Sequence, residues 1–244
     1  MGKSESIRAV FAATRNLYPY MLPGIVSLLE HNDVDKIYLL IEDDQMPYEV
    51  PKECECINVT PYKDKVANGA NARSQFTWMA MIRSLYPTIL PHEDKILQLD
   101  VDLVVLESLK PIWDIDLTGK YFAAATEPKL LYNPWKHERY FNVGVAVINL
   151  AELRKDNFEE KALEMLNNQY MLCVDQDVLN YFEDKGIEFP SRYNECGPVG
   201  TSGNPAVAHF AGYSMWWMPI NVPGWKYLKK YRHLFKEVYD HVYG

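Results

Sequence analysis

Short apolar runs rich in Val, Ile and Phe alternate along this chain with segments whose apolar residues recur at helical spacing. That alternation predicts an α/β fold with a mainly parallel sheet covered by helices. Residues 7–13 read as the first strand, and residues 20–31 as a helix with Leu22, Ile25, Val26, Leu28 and Leu29 on its apolar face. Residues 37–41 and 55–59 supply two more strands, the first closed by the acidic turn 42–44. Residues 70–86 carry a helical pattern ended by Pro87. Residues 95–99, 122–126 and 144–149 read as strands, the last apolar enough for burial on both faces. KLLYNPWKHERY, with Pro134 at its centre, reads as a surface loop, and residues 157–170 and 175–184 as helices. Beyond Gly186 the dense proline and glycine predict functional loops, before a last segment, 225–244, of helical pattern. No repeat or linker divides the chain. The expectation is one domain over residues 1–244, with a flexible start at 1–6 and a C-terminal extension at 219–244.

Composition narrows the partners more than the fold. A net charge of −8 and a pI near 5.3 disfavour nucleic acid, whose binders usually carry a basic surplus. The four cysteines, Cys54, Cys56, Cys173 and Cys196, have neither zinc-site spacing nor the density of a disulfide scaffold, which fits a reducing, cytoplasmic setting. Nowhere does the chain offer the about 18 uninterrupted apolar residues that a membrane span needs. Gly2 and Ser6 match a myristoylation pattern, for which chance is the simpler reading. The basic and aromatic WKYLKKYRHLF would suit peripheral membrane contact, but side chains snorkelling from an ordinary packed helix explain it as well.

One stretch raises a question of chemistry. ILQLDVDLVVLESL places Asp100 and Asp102 one residue apart in a run that otherwise reads as buried, with no Lys or Arg between Lys95 and Lys110. Buried charge is costly unless paired. Residues i and i+2 of a strand face the same side, so both carboxylates can aim into the crevice beyond the strand's carboxyl end. Two oxygen donors suit a hard divalent ion; two solvated loop aspartates, or a cap on the next turn, would leave the same letters. His209 and Gly212 in VAHFAGYSMWWMP, and Asn142, Gly144, Asp175, Gln176 and Asp177 in YFNVGVAVINL and VDQDVLNYF, form two further groups near strand and helix ends. Each taken alone reads more readily as a structural histidine, or as buried core amides or helix caps, than as a site.

In this order, FAATRNLYPYMLPGIVSLLEHN, DKILQLDVDLVVLESLKPIWDIDL, YFNVGVAVINL, DQDVLN and HFAG resemble the glycosyltransferase family 8 enzymes, relatives of glycogenin and of bacterial lipooligosaccharide galactosyltransferases, over about residues 7–218. The resemblance implies a single GT-A domain that transfers a hexose from a nucleotide sugar, of the UDP-glucose or UDP-galactose type, with retention of configuration. A glycan, lipid-linked or protein hydroxyl would be the acceptor. It further implies that Asp100, Asp102 and His209 ligate Mn²⁺ or Mg²⁺, the mixed donor set suiting Mn²⁺ slightly better. Ala12, Thr14, Asn16, Val101 and Gly212 would line the donor site, and Arg83 would face the donor sugar or phosphate. Asn142, Asp175 and Gln176 would hold the sugar hydroxyls, with Gly144 also in the donor site, and Gln176 would present its side chain to the reacting face, giving Gln176 and Asp175 the catalytic positions.

Two residues depart from the family pattern. Thr14 stands where an aspartate often meets the nucleobase, which puts uracil preference in question, and Met215 stands where a lysine often meets the diphosphate. Trp216 and Trp217, with the loop 129–139, are expected to shape the acceptor site. Two other readings use the same residues: a non-catalytic nucleotide-sugar binder of this fold, favoured by Met215, and a haloacid-dehalogenase-like phosphatase with Asp100 as nucleophile and Asp102 as acid. The second leaves about 90 residues of preceding αβ structure and the late histidine motif without a role.

Overall fold

A computed structural model describes residues 6–127, 133–196, 203–212 and 225–234. Its central sheet has seven strands: β1 (Ile7–Ala12), β2 (Val34–Ile41), β3 (Cys54–Asn58), β4 (Lys95–Leu99), β6 (Phe122–Thr126), β7 (Phe141–Asn149) and β8 (Gly186–Glu188), in the order β3-β2-β1-β4-β7-β6-β8. β7 is antiparallel to both neighbours, whereas the β1–β2, β1–β4, β2–β3 and β6–β8 pairs are parallel. The expected mostly parallel sheet is present with one reversed strand. Eight of the nine β7 residues are buried, so its apolar run reads the same in either direction, and periodicity could not reveal the reversal.

That reversal positions the site. β7 begins at the end of the sheet where β4 finishes, with Leu99 paired to Val145 and the Asp100 N–H donating to the Gly144 carbonyl at 2.8 Å. A parallel β7 would have carried Asn142 and Gly144 to the opposite edge. The pairing of β6 with β7 skips from Ala124–Ala146 to Ala125–Asn142, a bulge that lifts residues 143–145 out of the β6 ladder.

A second, three-stranded sheet joins β5 (Leu103–Val105), β10 (Val207–His209) and β9 (Glu195–Cys196). β5 continues from the two aspartates, and β10 lies antiparallel to it with His209 opposite Leu103. The Phe210 N–H donates to the Asp102 carbonyl at 2.8 Å, which closes the approach of the late histidine to the aspartate strand. β9 and β10 lie where irregular loops were expected; at two and three residues they are too short to show a period.

The helix Tyr18–His31 packs its apolar face on β5, and Ser27 accepts the Val105 N–H at 2.9 Å. A small apolar cluster of Tyr20, Val104, Phe210, Leu228 and Tyr231 seats the segment 225–234 on this layer, reinforced by Lys230 Nζ at 2.7 Å from Glu30. The helix expected over 70–86 is a correction: turns fill most of 67–77, and helical structure starts at Trp78 and runs through short pieces to Ile89. The buried Asn71 amide donates to the Leu166 and Gln169 carbonyls at 2.7 and 2.8 Å and accepts the Met171 N–H at 2.8 Å. These tertiary bonds override the local pattern. Pro87 occupies the first turn of Tyr86–Ile89, where its missing N–H costs nothing, so it starts a helical turn instead of ending one. Among the described residues no helix is long and apolar enough to cross a membrane.

Candidate active site

Asp100 and Asp102 leave β4 together and meet His209 at the end of β10. One ligand atom from each lies within 4.8 Å of the others. The imidazole Nε2 is 3.2 Å from Asp102 Oδ1 and 3.5 Å from Asp100 Oδ2. It is buried and makes a hydrogen bond with neither oxygen. A buried ring nitrogen with no hydrogen bond among the described residues is expensive, and the two carboxylate oxygens beside it complete the donor set of a divalent ion. The residues present therefore fit the metal that the resemblance implied. Burial alone would lower the His209 pKa, but Asp102 and its other neighbours outweigh it and hold the value well above the ordinary imidazole range.

Arg83 supplies the cation missing from the strand itself. Its guanidinium is ion-paired to Asp100 Oδ1 and lies 3.3 Å from Asp175 Oδ2, bridging the two carboxylates. The two partners respond in opposite directions. At Asp100 burial is overcome by Arg83 and His209, which hold the carboxyl below its usual range. At Asp175 burial, reinforced by the charge of Asp100, wins over the more distant guanidinium contact and pushes the carboxyl up to about 6.

These groups border a cavity of about 690 Å³, of the size expected for a small-molecule site. Arg83, Asp100, Asn142, Gly144, Asp175, Gln176, His209 and Gly212 all line it. Gly144 is required sterically, since a Cβ would stand 2.2 Å from His209 Cε1 and 2.7 Å from Asp100 Oδ2. Gly212 is required by its backbone, at φ +80°. The Gln176 side chain is held across the cavity floor, with Oε1 accepting the Val143 N–H at 3.2 Å and Nε2 facing Glu127 Oε1 at 3.4 Å. Val174, just before Asp175, is β-branched with φ +20°, an outlier of the kind that surrounding structure must enforce. Asp177 anchors this turn by accepting the Cys173 N–H at 3.0 Å and the Tyr140 hydroxyl proton.

Ala12, Thr14, Asn16, Val101 and Asp102 are not among the cavity-lining residues. β1 pairs with β4 through Phe11 and Leu99, so Ala12 stands level with Asp100 and the turn 13–16 leaves from the same edge. There the Thr14 hydroxyl donates to Asn16 Oδ1 at 2.7 Å. Val101 packs against the core between the aspartates. Met215, Trp216 and Trp217 lie outside the described residues, as does part of the loop 129–139.

Several site residues had escaped the motif reading. Glu127 lines the cavity and accepts from Asn142 Nδ2 at 2.7 Å. Its position immediately after a strand's carboxyl end was the available signal. Gln75 and Phe76 form another part of the wall, and Phe76 is among the few large apolar side chains left exposed. Asn194 and Cys196 approach His209 from a stretch that reads as irregular and carried no signal.

A model of the family described as glycosyl transferase family 8 matches residues 10–218. General stress protein A of Bacillus subtilis (strain 168) is 26% identical over an alignment covering 89% of each protein. Glycosyltransferase GlyA of Streptococcus pneumoniae serotype 4 is 25% identical over 95% of this chain, which spans 35% of GlyA. The structure of galactosyltransferase LgtC in complex with donor and acceptor sugar analogues superimposes with a TM-score of 0.72 and 21% identity, covering 98% of this chain and 97% of that one. At that identity the likeness speaks for the GT-A fold alone, but the family model spans most of the sequence: the chain belongs to glycosyl transferase family 8.

Proposed function

We propose that this enzyme transfers a hexose from a nucleotide sugar, of the UDP-glucose or UDP-galactose type, to a hydroxyl of a glycan, lipid-linked or protein acceptor, with a divalent ion and with retention of configuration. The observation that carries the reading is the buried Nε2 of His209, without a hydrogen bond among the described residues and facing Asp100 and Asp102 beside a cavity that Asp100 and His209 line. Bound there, Mn²⁺ or Mg²⁺ would offset the charge that builds on the departing diphosphate as the sugar bond breaks.

The chain's own residues divide the remaining work. Arg83 holds Asp100 and Asp175 in register, so its charge is spent on orienting the carboxylates before any donor arrives. Asn142, Glu127 and Asp175 offer donors and acceptors to sugar hydroxyls across the cavity. Gln176 lies between them with its amide fixed at both ends. An amide is a poor nucleophile. Its role is to stabilise an oxocarbenium-like sugar by its dipole while the acceptor hydroxyl attacks the face that the diphosphate leaves. Phe76, exposed at the wall, offers an aromatic face for the acceptor.

The test is a panel of nucleotide sugars incubated with the purified protein with and without Mn²⁺, reading free nucleoside diphosphate. Manganese-dependent release from one donor supports the reading and names the sugar. Binding of UDP without release from any donor, acceptors included, would instead favour a non-catalytic nucleotide-sugar binder.

A further inference from the structure

Asn194 is buried beside His209, outside the cavity wall. Its orientation follows from a chain of contacts with unambiguous ends. The Gly144 N–H, which can only donate, is 3.0 Å from Asn142 Oδ1, and the Glu127 carboxylate accepts from Asn142 Nδ2 at 2.7 Å. The Asn142 amide is thereby fixed. Its backbone carbonyl and Oδ1 then take the two protons of Asn194 Nδ2, at 3.1 and 2.8 Å. Asn194 must therefore turn its Oδ1 to His209, whose Nδ1 is 2.7 Å away. An amide oxygen only accepts, so Nδ1 must be the donor. The thiol of Cys196, 3.6 Å from the same nitrogen, is a much weaker partner.

We propose that Asn194 is a positioning residue for metal binding: with its amide oriented by Asn142, it keeps a proton on His209 Nδ1 and aims Nε2 between Asp100 and Asp102. This rests on the metal reading of the site given above. Partners of this kind, bonded to the far nitrogen of a ligating imidazole, hold ring orientation and ligand basicity, and their loss typically weakens metal affinity about 10–100-fold. The same contacts run from the metal ligand through Asn142 to Glu127, so the groups that would meet the sugar and the group that would meet the ion share one hydrogen-bonded frame.

The test is titration of Mn²⁺ into the full chain without nucleotide, following free Mn²⁺ by electron paramagnetic resonance, for wild type, Asn194→Ala and Asn194→Asp. The expected result is tight binding by wild type, loss of about 10–100-fold in Asn194→Ala, and a loss at least about threefold smaller in Asn194→Asp, which keeps an acceptor for the Nδ1 proton while giving up the bonds from Nδ2 to Asn142. A merely structural role would weaken both variants alike, and that outcome, or an alanine variant that binds as wild type does, overturns the proposal. Should the alanine variant fail to fold, imidazole ¹⁵N shifts of wild type loaded with Mg²⁺ decide it. A proton on His209 Nδ1 supports the assignment and a proton on Nε2 overturns it. Wild type that binds no Mn²⁺ would bring down the metal reading with it, whereas normal wild-type binding with an unaffected alanine variant would remove Asn194 alone.

Discussion

Gly144 and His209 are in contact so close that no side chain fits between them: a Cβ on residue 144 would lie 2.2 Å from the imidazole Cε1. The contact exists because the antiparallel β7 and the late strand β10 converge on the end of β4. Gly144→Ala must push the imidazole or the Asp100 carboxylate aside. We expect Mn²⁺ affinity to fall by about tenfold or more, since ligand placement to a few tenths of an ångström sets the site. Calorimetric titration with Mn²⁺ checks this, and unchanged affinity in Gly144→Ala would show that the three donors do not act together.

Asp102 lies beside the imidazole and, unlike Asp100, meets no arginine among the described residues. Asp102→Asn should lower turnover by about 100-fold or more, roughly 2.7 kcal/mol of barrier, while the circular dichroism spectrum and melting temperature stay close to wild type. An active variant that resists EDTA would remove Asp102 from the metal site.

The buried Asp175 gives a pH signature in the metal-free protein. Burial and the charge of Asp100 raise its carboxyl to about 6, against the pull of Arg83. The unfolded value is about 3.9, so the folded state holds this proton more tightly. The stabilisation from Asp175 is complete below about pH 4 and is lost as pH rises through about 6. Asp175→Asn, neutral throughout, should therefore change the melting temperature more favourably near neutral pH than near pH 4. A difference that is flat with pH, or reversed, contradicts the assignment.

Phe76 presents an exposed ring at the cavity wall beside Gln75. If it stacks on the acceptor, Phe76→Ala should raise the apparent acceptor KM by about two- to tenfold with donor KM unchanged, the factor expected for one aromatic contact. Equal KM values for both substrates would assign the acceptor contact elsewhere.

The sequence made the elements around the site legible where long apolar runs or local signals were strong. The strands 95–99 and 122–126 lie as their patterns predict, because short, buried apolar runs bounded by turn signals have few alternatives. Asp100, His209, Asn142, Gly144 and the Asp175–Gln176 pair meet at one cavity, with Asp102 beside Asp100 and His209, as their shared place at strand and helix ends suggested. What stayed hidden depends on long-range geometry. No local period records that β7 runs backwards, that Asn71 unwinds the start of the helix expected at residue 70, or that two-residue and three-residue strands carry Asn194's neighbours to His209. The pairing of Arg83 with both Asp100 and Asp175 was likewise invisible, although a cation was needed somewhere near the aspartates on energetic grounds alone.

The proposed activity requires a divalent ion held by Asp100, Asp102 and His209 and shared with the donor's diphosphate. Calorimetric titration of UDP into the protein, in Mn²⁺ and again in EDTA, tests this most directly. UDP should bind about tenfold or more tightly with Mn²⁺, and Asp102→Asn should abolish the difference. Equal UDP affinity with and without the ion would contradict it.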